Sequence, residues 1–365
     1  MKKLPFLDKI KPSKGSATTN EFEQELKATS LTQDAWKRFK RHKMGMFGFI
    51  VATLYIIIAL LTPILPFYPF ERQILSHAHL PPSLRPAGEI ALERREANIT
   101  RLMQHQNRTE HSAEEAAELT ALRGFVEAAR LDPDHFANNV YLLGTDTLGR
   151  DMLSRIVRGG RISISIGLLG TITSFLIGIF YGATAGYLGG RIDNVMMRFV
   201  DILYGLPFMV IVIIIMSFIG GRSITILFVA IALISWLGIA RLVRGQIISL
   251  KNGEFVQSAR SAGAGNMRII TKHLLPNTLS IIIVFGTMSI PGFIMAESFL
   301  SYLGLGVSAP MASWGSLISD GARGMEIYPW LLVGPAVTMT LFLFAMNFLG
   351  DGLRDAFDPQ AKNRT

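Results

Sequence analysis

The chain of 365 residues contains no cysteine, so neither a disulfide nor a thiolate metal site is open to it. It also lacks the G-x-x-x-x-G-K-[ST] loop whose backbone cradles nucleotide phosphates, which excludes binding and splitting of ATP by this chain alone. Neither the H-E-x-x-H pair of a zinc hydrolase nor the G-x-S-x-G elbow of a serine hydrolase occurs, and no catalytic residue is assigned. Charge is missing in the longest apolar stretches. Residues 45–65, 162–187, 202–219, 224–240, 279–296 and 331–349 hold no Asp, Glu, Lys or Arg. An ionisable group is costly inside a bilayer and is kept there for function, so its absence argues against a proton-coupled carrier and against an intramembrane aspartyl protease.

What is present is apolar surface in excess of what a water-soluble domain needs: 50% of the residues are hydrophobic and the mean hydropathy is +0.36. Each of the six stretches is near the length of about 17 to 25 residues that carries a helix across the hydrocarbon core. One such stretch alone also admits a buried core helix, the shortest, 224–240, most readily; six together predict an all-α, polytopic membrane protein with six transmembrane helices. The first follows a polar segment and no small-residue cleavage site comes after it, so it is a retained anchor and not a removed signal.

Orientation follows from the basic residues. With the N-terminus inside, the cytoplasmic segments carry 22 Lys and Arg and the two short outer ones carry 2. Both termini are therefore expected in the cytoplasm. The formal charge of +9 lies on these membrane-adjacent segments, where anionic lipid accounts for it and no nucleic-acid partner is required.

The organisation expected is a basic cytoplasmic arm over residues 1–44, with an interfacial amphipathic turn at Trp36 to Lys43, and the first span at 45–65. An extracytoplasmic segment follows over 66–161. A five-helix core over 162–349 and a cytoplasmic tail over 350–365 complete the chain. Within the outer segment, Leu119, Leu122, Phe125, Val126 and Ala129 fall at helical spacing, predicting one or two surface helices in a helical insertion over about 70–140. Its histidines, His77, His79, His105, His111 and His135, lack a metal-ligand spacing and read as solvated helix residues, so no metal site is assigned.

Small residues and prolines mark the spans. Gly178, Gly182 and Gly186 place a smooth groove on one helix face, where another backbone packs closely. Pro207, Pro291 and Pro335 free backbone carbonyls within spans, which suits kinks along a translocation pathway or kinks with a packing role alone.

The cytoplasmic stretch 254–277 is the most informative. Glu254 to Ala262 is helix-compatible, Gly263 suits a left-handed cap, and Asn266 opens a second short helix that Pro276 is expected to stop. Ala259 and Gly263, with Ser258 and Ala262 beside them, leave a lean surface suited to another protein's cleft; the alternative is an amphipathic linker.

The run Phe255-Val256-Gln257-Ser258-Ala259-Arg260-Ser261-Ala262-Gly263-Ala264, with Leu274-Leu275-Pro276-Asn277, resembles the "EAA" coupling loop of bacterial ABC importer permeases. Gln257 and Ser258 depart from the acidic residue and alanine usual there. Leu143-Gly144-Thr145-Asp146-Thr147-Leu148-Gly149-Arg150-Asp151, Leu300-Ser301-Tyr302-Leu303-Gly304-Leu305-Gly306 and Asn347-Phe348-Leu349-Gly350-Asp351-Gly352-Leu353-Arg354-Asp355 resemble the C-type subunit of oligopeptide and dipeptide permeases. The likeness leaves out residues 70–140.

That resemblance implies an ABC importer permease-like fold in the bacterial inner membrane. It implies a pore made with a B-type permease subunit, two ABC ATPase subunits carrying ATP and magnesium, and an extracytoplasmic peptide-binding protein. This chain would bind no cofactor; its loop, with Glu254, Gln257, Ser258, Ala259, Ala262, Gly263 and Pro276, would dock on an ATPase. A permease for nickel chelates or another small solute, and a non-pumping scaffold or channel, are the alternatives.

Overall fold

The computed structural model describes residues 31–219 and 223–358. The basic arm expected at the N-terminus lies outside the described residues up to residue 30. Among the described residues, thirteen α-helices follow one another with no β-strand: α1 Leu31–Arg41, α2 Lys43–Leu61, α3 Ala87–His105, α4 Ala113–Leu131, α5 Met152–Leu188, α6 Gly190–Tyr204, α7 Phe208–Ile219, α8 Ile224–Leu250, α9 Glu254–Ser261, α10 Asn266–Ile269, α11 Leu275–Tyr302, α12 Trp314–Ala322 and α13 Trp330–Phe357.

Five helices are long and apolar enough to span a bilayer, and the third predicted span is a bent pair. Residues 202–219 divide between α6 and α7, which meet at 83°. Pro207 is the reason. It has no amide to give to a helix interior, and its carbonyl instead accepts from the amides of Val210 and Ile211 at 3.0 and 3.2 Å, opening α7. The proline thus breaks the span outright, and α7, at twelve residues, is too short to cross the hydrocarbon core unaided.

The first span starts two residues early and ends at Leu61, four short of its predicted limit, whereas α5, α8, α11 and α13 run beyond theirs. Helix α5 begins ten residues early because the Asp151 carboxylate accepts from the amides of Leu153 and Ser154 at 3.3 and 3.0 Å. Helix α8 runs ten residues past Ala240 to Leu250. Its two arginines there are paired: Arg244 donates through two nitrogens to both oxygens of Asp193 on α6, at 2.5 and 2.7 Å, and Arg241 donates to Asp201 at 2.6 Å. Charge ended the apolar run without ending the helix.

Helices α5 and α8 form the centre of the bundle, and the glycine stripe sets their distance. A Cβ at Gly178 would lie 2.6 Å from the Ile239 Cβ, one at Gly182 would press on the Ala240 carbonyl, and one at Gly186 would lie 2.8 Å from the Arg244 carbonyl. Only bare backbone permits that approach.

Pro291 and Pro335 are both buried inside helices that continue past them, α11 and α13. A proline at 335 leaves the Leu331 carbonyl without a helical amide. Gly321 of α12 packs directly against that carbonyl, which gives this proline a packing role.

Helices α3 and α4 are the surface helices expected between the first span and α5. A capping box at Ser112 and Glu115 starts α4, and ion pairs tie the two helices together, Arg95 to Glu118 at 2.6 Å and Arg123 to Glu96 at 2.8 Å. At the other end, α1 is amphipathic. Ala35 and Phe39 are buried, and Trp36 stays exposed with Lys40 over its ring. That pattern suits the membrane surface.

Candidate functional site

The loop after α8 is held from beneath by apolar side chains. Val256, Ile269 and Leu274 are fully buried with Val243 and Ile247 of α8, Ala183 and Tyr187 of α5, and Ile282 of α11. Polar contacts add direction: the Tyr187 hydroxyl donates to Asn266 Oδ1 at 3.1 Å, and the Arg260 guanidinium lies over the Tyr187 ring. The segment is therefore fixed to the ends of the two central helices.

Its bend is a complete Schellman motif. The Gly263 amide donates to the Arg260 carbonyl at 2.9 Å and the Ala264 amide to the Ala259 carbonyl at 3.0 Å. Gly263 has φ +82°, a conformation favoured by glycine, and no atom lies within 4 Å of where its Cβ would stand. The glycine is required for its backbone conformation and for nothing else within this chain.

The structure separates the predicted contact residues. Glu254, Gln257, Ser258, Ala262 and Gly263 are exposed, with Phe255 and Met267 beside them. Ala259 is half-buried and packs on the apolar seat, so it belongs as much to this chain's own core as to the lean outer surface.

Pro276, expected to stop the second short helix, does not. Residues Ile270–Leu274 form a π-turn in which the Leu275 amide reaches back to the Ile270 carbonyl, and Asn266–Tyr302 runs on as one span. The wide turn places Pro276 at the start of α11, where its missing amide is tolerated. Asn266 is the first residue of α10 and does not cap it; Gly265 holds that position.

A second cluster was not foreseen. Glu297, assigned from sequence to an outer segment, lies inside α11 and is fully buried. It accepts from Ser301 at 2.7 Å, from Ser313 at 2.5 Å and from Ser163 at 3.4 Å. Ser163 in turn accepts from the Trp314 amide at 3.1 Å. One carboxyl group thus latches α5, α11 and the N-cap of α12 together. The sequence signal was available: a glutamate flush with the end of an apolar run, followed by serine four residues later. The spans are therefore not free of ionisable groups, but this one is held by hydroxyls in a structural latch.

The Asp146 segment folds against residues 74–80. Asp146 accepts from the amides of Leu148 and Arg150, each at 2.9 Å, and from Arg150 Nε at 2.7 Å and Arg155 Nη1 at 2.6 Å. The Ile74 and His79 amides donate to the carbonyls of Leu148 and Asp146. Of the five histidines only His105 is an exposed α-helical residue; His111 is exposed but precedes α4, and His135 is half-buried against Phe136. His79 stacks on Tyr328 at 3.9 Å. His77 is buried, with Nδ1 3.1 Å from the Tyr141 hydroxyl. Burial, reinforced by His135 and Arg72, lowers the His77 pKa to about 4, and burial likewise pushes Tyr141 up to about 12. Among the described residues no group of three His, Cys, Asp or Glu is placed to hold a metal ion.

Known proteins are similar to this chain in sequence. The family described as the binding-protein-dependent transport system inner membrane component matches residues 175–363, and the N-terminal TM domain of oligopeptide transport permease C matches residues 30–82. The latter takes in residues 70–82, the start of the segment read as an insertion. The oligopeptide transport system permease protein OppC of Haemophilus influenzae is 51% identical over 220 residues, 60% of this chain and 70% of that protein. The dipeptide transport system permease protein DppC of Bacillus subtilis is 39% identical over 334 residues, 91% of this chain and 87% of that one. DppC of Lactococcus lactis is 33% identical over 356 residues, covering 96% of each. A solved MetNI methionine ABC transporter chain aligns with 56% of this chain and 97% of its own at 18% identity, with a TM-score of 0.47.

Proposed function

Because the chain belongs to the inner-membrane permeases of binding-protein-dependent ABC importers, among the C-type subunits of peptide systems, we propose that it forms part of a pore that moves di- or oligopeptides inward. It is not an enzyme: ATP is hydrolysed by a separate subunit. All three relatives carry peptide-transport names, which favours peptides over nickel chelates and over a non-pumping scaffold or channel.

In this reading the partner across the pore is a B-type permease, two ATPase subunits lie beneath, and a peptide-binding protein docks from the outer side. ATP and magnesium reside in the ATPase subunits. Both termini face the cytoplasm, as the distribution of Lys and Arg supports.

The observation that carries the proposal is the loop from Glu254 to Leu274. It presents Ser258, Ala262 and Gly263 outward while its other face is bolted by Val256, Ile269 and Leu274 to the ends of α5 and α8. A push on that surface by a closing ATPase pair is delivered to the two central helices as a rigid body, which is what alternating access requires. The test is to place a bulky residue at Ser258 or Ala262 and measure ATPase co-purification, peptide-stimulated hydrolysis and membrane abundance together. The expected result is normal abundance with loss of coupling; unchanged coupling in both variants overturns the assignment.

A further inference from the structure

The outer end of α5 carries three arginines on successive turns, Arg155, Arg158 and Arg161, about 4.5 Å apart along the axis. All three line one cavity of about 290 Å³, which Phe70 and Met311 border on its apolar side and Ser165 also lines. Among the described residues no carboxylate lines this cavity. Arg155 is 5% exposed; its Nη1 is bonded to Asp146, but its Nε has no partner. The Arg158 Nε is also buried without a partner, while its guanidinium lies over the Phe70 ring at 4.7 Å.

Such an arrangement is unfavourable as it stands. Like charges on adjacent turns repel, and a buried donor left unbonded carries its full desolvation cost. An oxyanion in the cavity relieves both, accepting charge-assisted hydrogen bonds from guanidinium groups suited to bind carboxylate or phosphate. We propose that this cavity is an oxyanion site, built to receive the carboxylate of an arriving solute or the phosphate of an anionic phospholipid. The solute source rests on the importer reading; the lipid source does not.

The test uses the assembled importer in nanodiscs, with Arg158→Gln and Arg161→Gln as variants and Arg158→Lys as the charge-keeping control. Arg155 is left intact because it also holds Asp146. Transport of trialanine is compared with that of trialanine amide, corrected for the binding protein's own preference. A solute-carboxylate site predicts that this ratio falls about tenfold in the two Gln variants, the scale of one charge-assisted hydrogen bond, and is largely kept by Lys. A lipid-phosphate site predicts an unchanged ratio, but a rise in melting temperature with added phosphatidylglycerol that wild type shows and the Gln variants lose. If the variants match wild type in both measurements, the site is overturned. No transport of either peptide by wild type counts against the importer reading instead, and the lipid titration still reads the site.

Discussion

The Ala264 amide donates to the Ala259 carbonyl at 3.0 Å, spanning a Gly263 that holds φ +82°. Replacing Gly263 by Val puts a β-branched side chain into the left-handed region at a cost of about 1–2 kcal/mol, with no steric clash inside the chain to add to it. Abundance in the membrane is expected to stay within a factor of about two, since surface changes outside the spans rarely unfold a bundle, while peptide-stimulated ATP hydrolysis falls. Loss of the protein itself, read by quantitative immunoblot, would mean that the bend only stabilises the fold.

Ala259 and Ser258 are adjacent in sequence and differ in what they touch. Trp at Ser258 meets solvent or a partner, whereas Trp at Ala259 also collides with the apolar seat and overpacks it by about 1–3 kcal/mol. The Ala259 variant should therefore lose thermal stability as well as coupling, and the Ser258 variant coupling alone. Melting curves of the two purified complexes distinguish them.

Gly182 faces the Ala240 carbonyl directly. Gly182→Leu forces α5 and α8 apart and is expected to lower yield and melting temperature sharply, by the same overpacking cost or more. Leu at Gly238, which has open space around it, is the control and should be nearly neutral.

Glu297→Ala leaves three serine hydroxyls without their acceptor and costs on the order of 1–3 kcal/mol for each buried group not satisfied elsewhere. Glu297→Gln keeps an acceptor oxygen and should retain most of the stability. Equal melting temperatures for Ala and wild type would show that the latch is dispensable.

The segment between α2 and α5 should be acid-sensitive. His77 is neutral in the fold and its pKa is lowered to about 4, whereas an unfolded histidine titrates near its ordinary value of 6.5. Between these values the unfolded state binds more protons, so stability is complete above about pH 6.5 and is lost progressively as pH falls toward 4. Protection factors across residues 68–80, which correct for the slower intrinsic exchange of amides at lower pH, should fall between pH 7.5 and 5 in wild type, and less so in His77→Phe.

The sequence disclosed the features that follow from local pattern. The glycine stripe at 178, 182 and 186 and the left-handed bend at Gly263 both depend on what a missing side chain permits, and both were readable. Features that depend on a partner distant in sequence were not. Arg241 and Arg244 looked like the end of a span because Asp201 and Asp193, which pair with them, belong to another helix. Glu297 looked like a loop residue because the hydroxyls that donate to it, those of Ser163 and Ser313, lie 134 and 16 residues away. Pro207 and Pro276 show the same limit: one broke a span and the other sits within one, at the start of α11, and the surrounding backbone decided which.

The account stands most directly on peptide uptake by proteoliposomes. This chain, co-reconstituted with a B-type permease, two ATPase subunits and the binding protein, should accumulate labelled tripeptide only when ATP and binding protein are both present, and the chain alone should neither take up peptide nor hydrolyse ATP. Uptake by the single chain without ATP, or nucleotide hydrolysis by it, would contradict the account.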